Sequence, residues 1–380
     1  MVYLLKEKYM TTAIYALSGD PITYGHIDII TRSAKAFEKL IVALGVNPAK
    51  KYLLTSDERL AVAKQSLVGL DNVEVILFDG LLVDTAFERN AQFIVKGIRN
   101  SVDMNYEQTL DQINSTQIEI DTILMFSKSK LTHVSSSSVK AIQLEHGFIH
   151  EYVPLPVKKL LERKISNQFI VGVTGVMGCG KSYIAEELVK YSADKELKIH
   201  NIDLDSLANE IYISDKPAHI LVRQKIEEHF GTLDRKEISK IVFDPAVKKG
   251  KNEHLDFLNE TFREPVKVLI RRELKNKEGV ILINSAILIE SSLLELCNNH
   301  VVLVNADDEV RHSRLKGKRF IDPIVAEERI KHTLSYDMKK NAVNKEITRT
   351  NFGKLFKINN NEDFNYAEIE KLYNNIVAEY

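Results

Sequence analysis

An α/β fold made of two parallel-sheet domains is what the sequence predicts, and three observations carry that expectation. Gly175-Val176-Met177-Gly178-Cys179-Gly180-Lys181-Ser182 is a complete GxxxxGKS run set between a short apolar strand and a helical pattern. Far upstream, a strand at 13–17, a helical stretch carrying Ile27, Ile30, Ala34 and Phe37, and a strand at 40–46 make a βαβ unit, which implies a parallel sheet. The chain has 380 residues, 44% hydrophobic and 28% charged, which is ordinary globular material and long enough for two separate cores.

Bulk properties narrow the function classes. A net charge of -1 gives no global drive toward nucleic acid or an anionic membrane, although local basic clusters can still hold phosphate. Two cysteines, Cys179 and Cys297, cannot form a disulfide framework and fit a reducing, cytoplasmic setting. Residues 1–10 contain Lys6 and Lys8 but no long apolar core, so neither a signal peptide nor a membrane span is evident.

In the first half, Ser18-Gly19-Asp20-Pro21 breaks the opening strand, and Thr23-Tyr24-Gly25-His26 sits where the turn becomes a helix. A histidine there can donate to phosphate while Gly25 admits a nucleotide close to the backbone; the competing reading is a helix cap. Further strands are expected at 73–78, 93–95 and 122–125, with helices between them. Three clusters can converge on an anion: Lys50-Lys51, Lys96-Gly97-Ile98-Arg99 after a strand, and Ser135-Ser136-Ser137-Ser138 before the helical pattern of 139–144. A serine run in that place is a cap and also suits a triphosphate.

These residues carry a resemblance. The segment from Gly19 to Ile30, with its Thr23-Tyr24-Gly25-His26, resembles the T/HxGH signature of the nucleotidyltransferase superfamily, and over about residues 12–163 the chain is similar to bacterial phosphopantetheine adenylyltransferase. The Asn47-Pro48-Ala49-Lys50-Lys51 loop, Lys96-Gly97-Ile98-Arg99 with Asp103, Tyr106 and Glu107, and Val134-Ser135-Ser136-Ser137 correspond to the family's motifs in order. The resemblance implies a Rossmann-like domain transferring the adenylyl group of ATP to 4'-phosphopantetheine, giving dephospho-coenzyme A and pyrophosphate. By it, His26 and Ser18 contact the reacting phosphates. Lys50, with Lys96, lies on the phosphopantetheine side. Arg99 and Ser135, Ser136 and Ser137 meet the β- and γ-phosphates, while Tyr106 and Glu107 line the adenine side. The family's Pro-Gly-Thr-Phe is here Ala16-Leu17-Ser18-Gly19, and its first RGxR arginine is Lys96, which keeps the charge and loses the bidentate fork.

Pro154-Leu155-Pro156 and the helical pattern to Lys164 close the first half, and 165–168 reads as a polar connector. The expected division is therefore an extension at 1–11, a first domain at 12–165 and a second at 166–380. In the second, a buried strand at 169–173 precedes the glycine loop and a helix follows it. Backbone N–H groups of such a loop, helped by the helix N-terminus, cradle phosphate. Gly175, Gly178 and Gly180 shape that cradle, Lys181 reaches the phosphates and Ser182 holds Mg²⁺. Cys179 reads either as a thiol whose pKa the helix end lowers or as a small residue at a free position. A strand at 198–202 ends at Asp203-Leu204-Asp205, two carboxylates suited to acceptor activation or magnesium contact, or to capping the helix at 206–211. Strands at 279–284 and 301–304 follow, then the basic run from Arg311 to Arg319, either a solvated face or a lid over phosphates. Asn359-Asn360-Asn361 reads as an exposed loop before a final helix.

From about 168 to 380 the chain resembles dephospho-coenzyme A kinase, a P-loop NTPase fold, through Val173 to Ser182, Ile202 to Asp205, Leu288-Ile289-Glu290, the basic run and Asn351-Phe352-Gly353. The resemblance implies that Asp205, with Asp203 nearby, activates the ribose 3'-hydroxyl of dephospho-coenzyme A, and that Lys318 or Arg319 stabilises the moving charge. The family's Leu-His-Pro is here Arg263-Glu264-Pro265, and a usual proline is Ala286. Together the two halves imply a bifunctional enzyme of the last two steps of coenzyme A synthesis. It would use Mg-ATP in each, bind neither nucleic acid nor membrane, and form a homo-oligomer through the N-terminal domain. The rivals are a kinase with a non-catalytic N-terminal domain and a nucleotide-sensing binding protein.

Overall fold

The computed structural model describes residues 11–242, 253–317, 334–361 and 366–380. They form two compact units, one of residues 11–144 with 148–164 and one of 145–147 with 165–380.

The first unit is a five-stranded sheet of β1 (Thr12–Leu17), β2 (Lys39–Gly45), β3 (Val73–Phe78), β4 (Phe93–Ile98) and β5 (Asp121–Phe126), in the order β3-β2-β1-β4-β5 and parallel throughout. Helices cover it, so β2 reads as an apolar run, Leu40 to Leu44, with no residue more than 0% exposed. The strand order reverses at β1 and β4. In an open parallel sheet that reversal opens a crevice beyond the carboxyl ends of the strands. β4 is longer than its apolar run implies. Lys96 and Gly97 lie inside it, paired with Leu124 and Met125, because Gly97 packs against Ile29 of the helix Tyr24–Ala36, where an added Cβ would come within 3.0 Å of Ile29 Cγ1.

The second unit has β6 (Gln168–Gly175), β7 (Ile199–Asp203), β8 (Gly279–Asn284), β9 (His300–Asn305) and β10 (Lys354–Asn359), in the parallel order β10-β9-β6-β8-β7. Its core joins Val171, Val173, Leu282, Val302 and Val304 of the sheet to Ile184 and Leu188 of the helix Lys181–Ser192 and to Ile369 and Leu372 of the last helix. A second apolar cluster, including Ile211, Ile226, Ile238 and Leu269, is made by four helices outside the sheet. The expected connector at 165–168 shrinks to Asn167, since Ser166 ends one helix and Gln168 begins β6. Strand β10 was not expected. It is an edge strand whose Phe356 and Ile358 are buried while Lys354 and Lys357 face out, and such half-polar alternation is a weak signal. No helix among the described residues is long and apolar enough to cross a membrane.

Glu290, the end of the Leu288-Ile289-Glu290 motif, is tied to packing. The side chain of Lys339, 0% exposed, donates to Glu290 Oε1 at 2.8 Å and Oε2 at 3.0 Å and to the Ala286 carbonyl at 2.8 Å. Removing one partner of a buried pair strands the other charge, whereas replacing both with apolar groups does not. Glu290→Ala should therefore lower stability by roughly 3 kcal/mol, and Glu290→Leu combined with Lys339→Met by much less. Urea unfolding of the three proteins checks this; equal losses would show that charge stranding is not the cause.

Candidate active sites

The crevice at the β1/β4 reversal is a cavity of about 650 Å³. Ser18, His26, Lys50, Lys96, Arg99, Tyr106, Glu107, Ser135, Ser136 and Ser137 all line it, so residues spread over 120 positions of sequence meet at one place. Gly19 makes the turn at its floor with φ +60, and a Cβ there would lie 2.8 Å from Leu44 Cδ2, which explains why glycine stands at this position. At Gly25, by contrast, a Cβ would meet protein atoms no nearer than 3.5 Å. That is ordinary van der Waals contact, so crowding within the protein does not by itself require glycine there.

His26 is the third residue of its helix, and the Thr23 N–H donates to His26 Nδ1 at 3.1 Å. An amide can only donate, so Nδ1 is the acceptor and the ring proton sits on Nε2. Burial, assisted by the Arg99 charge, pushes the imidazole down to about 4. The ring is thus held neutral, and capping the helix through Nδ1 leaves the Nε2–H directed away from the cap.

Around it, the groups divide into positioned and free ones. Arg99 donates through its backbone N–H and Nε to Asp103 Oδ2 at 3.2 and 3.1 Å. Lys96 Nζ lies 3.0 Å from Glu107 Oε2, so these two, assigned by resemblance to different substrates, are paired with each other. Ser135 caps the helix Ser136–Leu144, accepting from Ser138 N at 3.0 Å, and Ser136 donates to the Pro21 carbonyl at 2.8 Å. Ser137 is exposed at the same helix end. Lys50 Nζ reaches Ser18 Oγ at 3.4 Å.

Two supports escaped the sequence reading. Asp20 accepts from Lys140 Nζ at 2.8 Å and from the Leu53 and Leu54 amides at 3.1 and 2.9 Å, joining the lysine loop to the serine helix. Burial alone would raise its carboxyl, but these donors outweigh it and hold it below the usual range. Arg59, buried under Tyr52, donates to the Ser18 and Gly45 carbonyls at 2.6 and 2.8 Å. Both are contacts between distant segments, and local pattern carries no trace of them.

In the second unit, the glycine loop leaves β6 at the corresponding reversal, between β8 and β9. Gly178 and Gly180 take φ +84 and +82, and a Cβ on Gly180 would stand 2.2 Å from Asn360 Nδ2. Arg311 Nε donates to the Met177 carbonyl at 3.0 Å, and Asn360 Nδ2 to the Cys179 carbonyl at 2.9 Å, with Arg314 Nη1 on the latter at 3.4 Å. In a planar trans peptide the N–H points opposite to the C=O. Tying those two carbonyls turns the Gly178 and Gly180 N–H groups to the opposite side of their peptides. Two expectations are corrected here. Asn360 is not in an exposed loop but 2% exposed and bonded to the glycine loop. Arg311 and Arg314 of the basic run brace that loop, while Lys318 and Arg319 lie outside the described residues. Cys179 is buried, and burial pushes its thiol up despite Lys181 and Arg311 nearby, which settles it as a packing residue.

At the mouth of the loop, Lys181 Nζ lies 3.6 Å from Asp205 Oδ2. Asp203 Oδ1 caps the helix Leu204–Ile213 through Ser206 N at 3.0 Å, and its other oxygen accepts from Ser182 Oγ at 3.4 Å. Capping and a place beside the loop serine therefore coexist. Asn284, which the sequence reading passed over, ends β8 and completes this corner by donating to Ser182 Oγ at 3.3 Å and to Asp203 Oδ2 at 3.2 Å.

The neutral state of His26 has a measurable consequence. Its folded pKa, about 4, lies below the ordinary histidine value of 6.5, so between these values the unfolded chain binds a proton that the folded chain does not. Stability from this source is complete above 6.5 and declines as pH falls toward about 4, by an amount on the order of 3 kcal/mol. NMR of labelled histidine should show this ring titrating near 4 with its proton on Nε2; titration near 6.5 would mean that the ring is solvated.

Known proteins match both units. Residues 169–351 match the family model of dephospho-CoA kinase, and residues 18–142 match a cytidylyltransferase-like model. Phosphopantetheine adenylyltransferase of Caldanaerobacter subterraneus subsp. tengcongensis is 43% identical over 156 residues, covering 40% of this chain and 98% of that protein. The enzymes of the same name from Haemophilus ducreyi and Lactobacillus gasseri are 39% and 41% identical, over 98% and 97% of their lengths. With a parallel sheet in each unit, the chain belongs to the phosphopantetheine adenylyltransferase family through its first unit and carries a dephospho-CoA kinase domain behind it, a fusion of two enzymes in one polypeptide.

Proposed function

We propose that this chain performs the last two steps of coenzyme A biosynthesis, with the residue roles that the geometry supports. The single observation that carries the reading is the pairing of the two units: the product named for the first is the substrate named for the second. The scaffold alternative is not favoured, because the displaced glycine makes its turn at Gly19 and the lining groups still converge.

In the first site, a phosphate oxygen of 4'-phosphopantetheine bonds to the α-phosphorus of ATP as the bond to pyrophosphate breaks. A phosphate monoester is largely ionised at neutral pH, so the nucleophile needs no base. That agrees with a histidine held neutral as a donor. His26 Nε2–H, Lys50 and Arg99 supply positive potential where charge develops, and the helix end at Ser136 and Ser137 receives the departing phosphates. Lys96 exchanges Glu107 for an anionic substrate group.

In the second site, Asp205 takes the proton of the ribose 3'-hydroxyl as that oxygen attacks the γ-phosphorus and ADP leaves. Lys181, paired with Asp205 in the protein alone, moves onto the β- and γ-phosphates and frees the carboxylate. The donor set of Ser182 and Asp203 is all oxygen and fits a hard divalent cation, Mg²⁺, that these residues would hold with the nucleotide. When bound, the ion neutralises phosphate charge.

Lys181→Met, given phosphopantetheine, ATP and magnesium, should release pyrophosphate and accumulate dephospho-coenzyme A with coenzyme A formation down at least a hundredfold, a loss of roughly 3 kcal/mol in transition-state stabilisation. His26→Ala should do the reverse, keeping kinase turnover while adenylyl transfer falls by about the same factor. Chromatography of the products reads both. Normal coenzyme A output from Lys181→Met would remove the glycine loop from the kinase reaction.

A further inference from the structure

His229 and His254 form a pair that neither active site uses. His229 stands in the last turn of the helix Pro217–Phe230 and His254 in the first turn of Glu253–Leu274, two of the helices around the apolar cluster outside the second sheet. His229 Nε2 and His254 Nδ1 lie 3.0 Å apart. The Phe257 ring, one turn beyond His254, stacks on His229 with centroids 3.9 Å apart and planes within 8°, and Phe230 packs beside His254 at 5.5 Å. Carbon neighbours therefore hold both imidazoles while the edges bearing the two nitrogens meet. His229 is exposed and His254 half-buried, so water reaches the pair. One proton lies between two nitrogens that are both metal donors when neutral.

We propose that His229 and His254 are the two protein ligands of a surface site for a late divalent transition ion such as Zn²⁺, Cu²⁺ or Ni²⁺. Neutral imidazole suits these ions, and Mg²⁺ asks for oxygen instead. With bonds of about 2.0 Å, two nitrogens stand roughly 2.9 Å apart in neighbouring positions of a tetragonal ion and roughly 3.3 Å apart around a tetrahedral one. The observed 3.0 Å falls between these, so neither helix has to move. The rings turn until both lone pairs aim at one point, and the bridging proton passes through water to the outer nitrogen of its ring. A ring turning in its own plane keeps its stack on Phe257. No third His, Cys, Asp or Glu completes a group with them among the described residues, so water fills the remaining positions and the affinity is moderate. An ion there clips the end of one helix to the start of another and stabilises the folded chain by linkage. The site is independent of both coenzyme A reactions.

The test uses the full chain without nucleotide, Zn²⁺ for calorimetry and Cu²⁺ as an EPR probe. The wild type should bind Zn²⁺ at this site, excess Mg²⁺ should leave it in place, and the melting temperature should rise as Zn²⁺ is added. His229→Ala and His254→Ala should each weaken that binding by at least about tenfold and abolish the rise, because each removes a direct ligand. Bound Cu²⁺ should show coupling to two nitrogens in the wild type and lose one of them in either variant. Coenzyme A formation with Mg-ATP should match the wild type in both, which checks that the variants are folded. A wild type that takes up no Zn²⁺, or whose Zn²⁺ is displaced by Mg²⁺, overturns the proposal. So does unchanged Zn²⁺ binding in either variant, since the pair is then a hydrogen bond and nothing more.

Discussion

Parallel strand pairing is the constraint on which both sites rest. Each strand must be followed by a crossover that returns to the same starting edge, so every loop leaving a strand's carboxyl end opens on one side of the sheet. Helices begin there, with unpaired N–H groups and the positive end of the backbone dipole. Polyphosphate chemistry needs such an edge. In the first unit β1 and β4 leave the reversal point with Ser18 and Arg99 at their ends, and in the second β6 and β8 leave it with the glycine loop and Asn284.

What the sheet does not provide, buried polar contacts do. The two sites solve one electrostatic problem differently. In the first, charge is kept from the His26 ring: a backbone N–H fixes its tautomer and burial keeps it neutral. Elsewhere in the same cavity, charges are stored in pairs, Lys96 with Glu107 and Lys140 with Asp20, so that an anionic substrate meets partners already in place. In the second, the backbone is the main donor. Arg311 and Asn360 hold two of the loop's carbonyls, and the N–H groups on the opposite side of those peptides are fixed with them because the peptide is rigid.

Joining the two activities in one chain places the enzyme that makes an intermediate and the enzyme that consumes it at equal concentration. That advantage needs no particular arrangement of the units. Each unit has its own sheet and its own apolar core, and the described residues of each site come from one unit.

Much was legible in the sequence, because the groups concerned act close to where they stand. The glycine loop needs Gly178 and Gly180 for their left-handed backbone, and Lys181 and Ser182 open the next helix, so motif and geometry are one local fact. The strands at 73–78 and 279–284 were readable for the same reason, as continuous apolar runs buried on both faces. Contacts between distant segments were not legible. Asp20 with Lys140, Arg59 under Tyr52, Asn360 on the glycine loop and the Asn284 corner each join residues brought together only by folding. The state of His26 shows the division within a single residue. Its place at a turn before a helix was written in the sequence; its tautomer and charge were decided by burial and by Arg99, because a proton responds to the three-dimensional field and not to its neighbours in the chain.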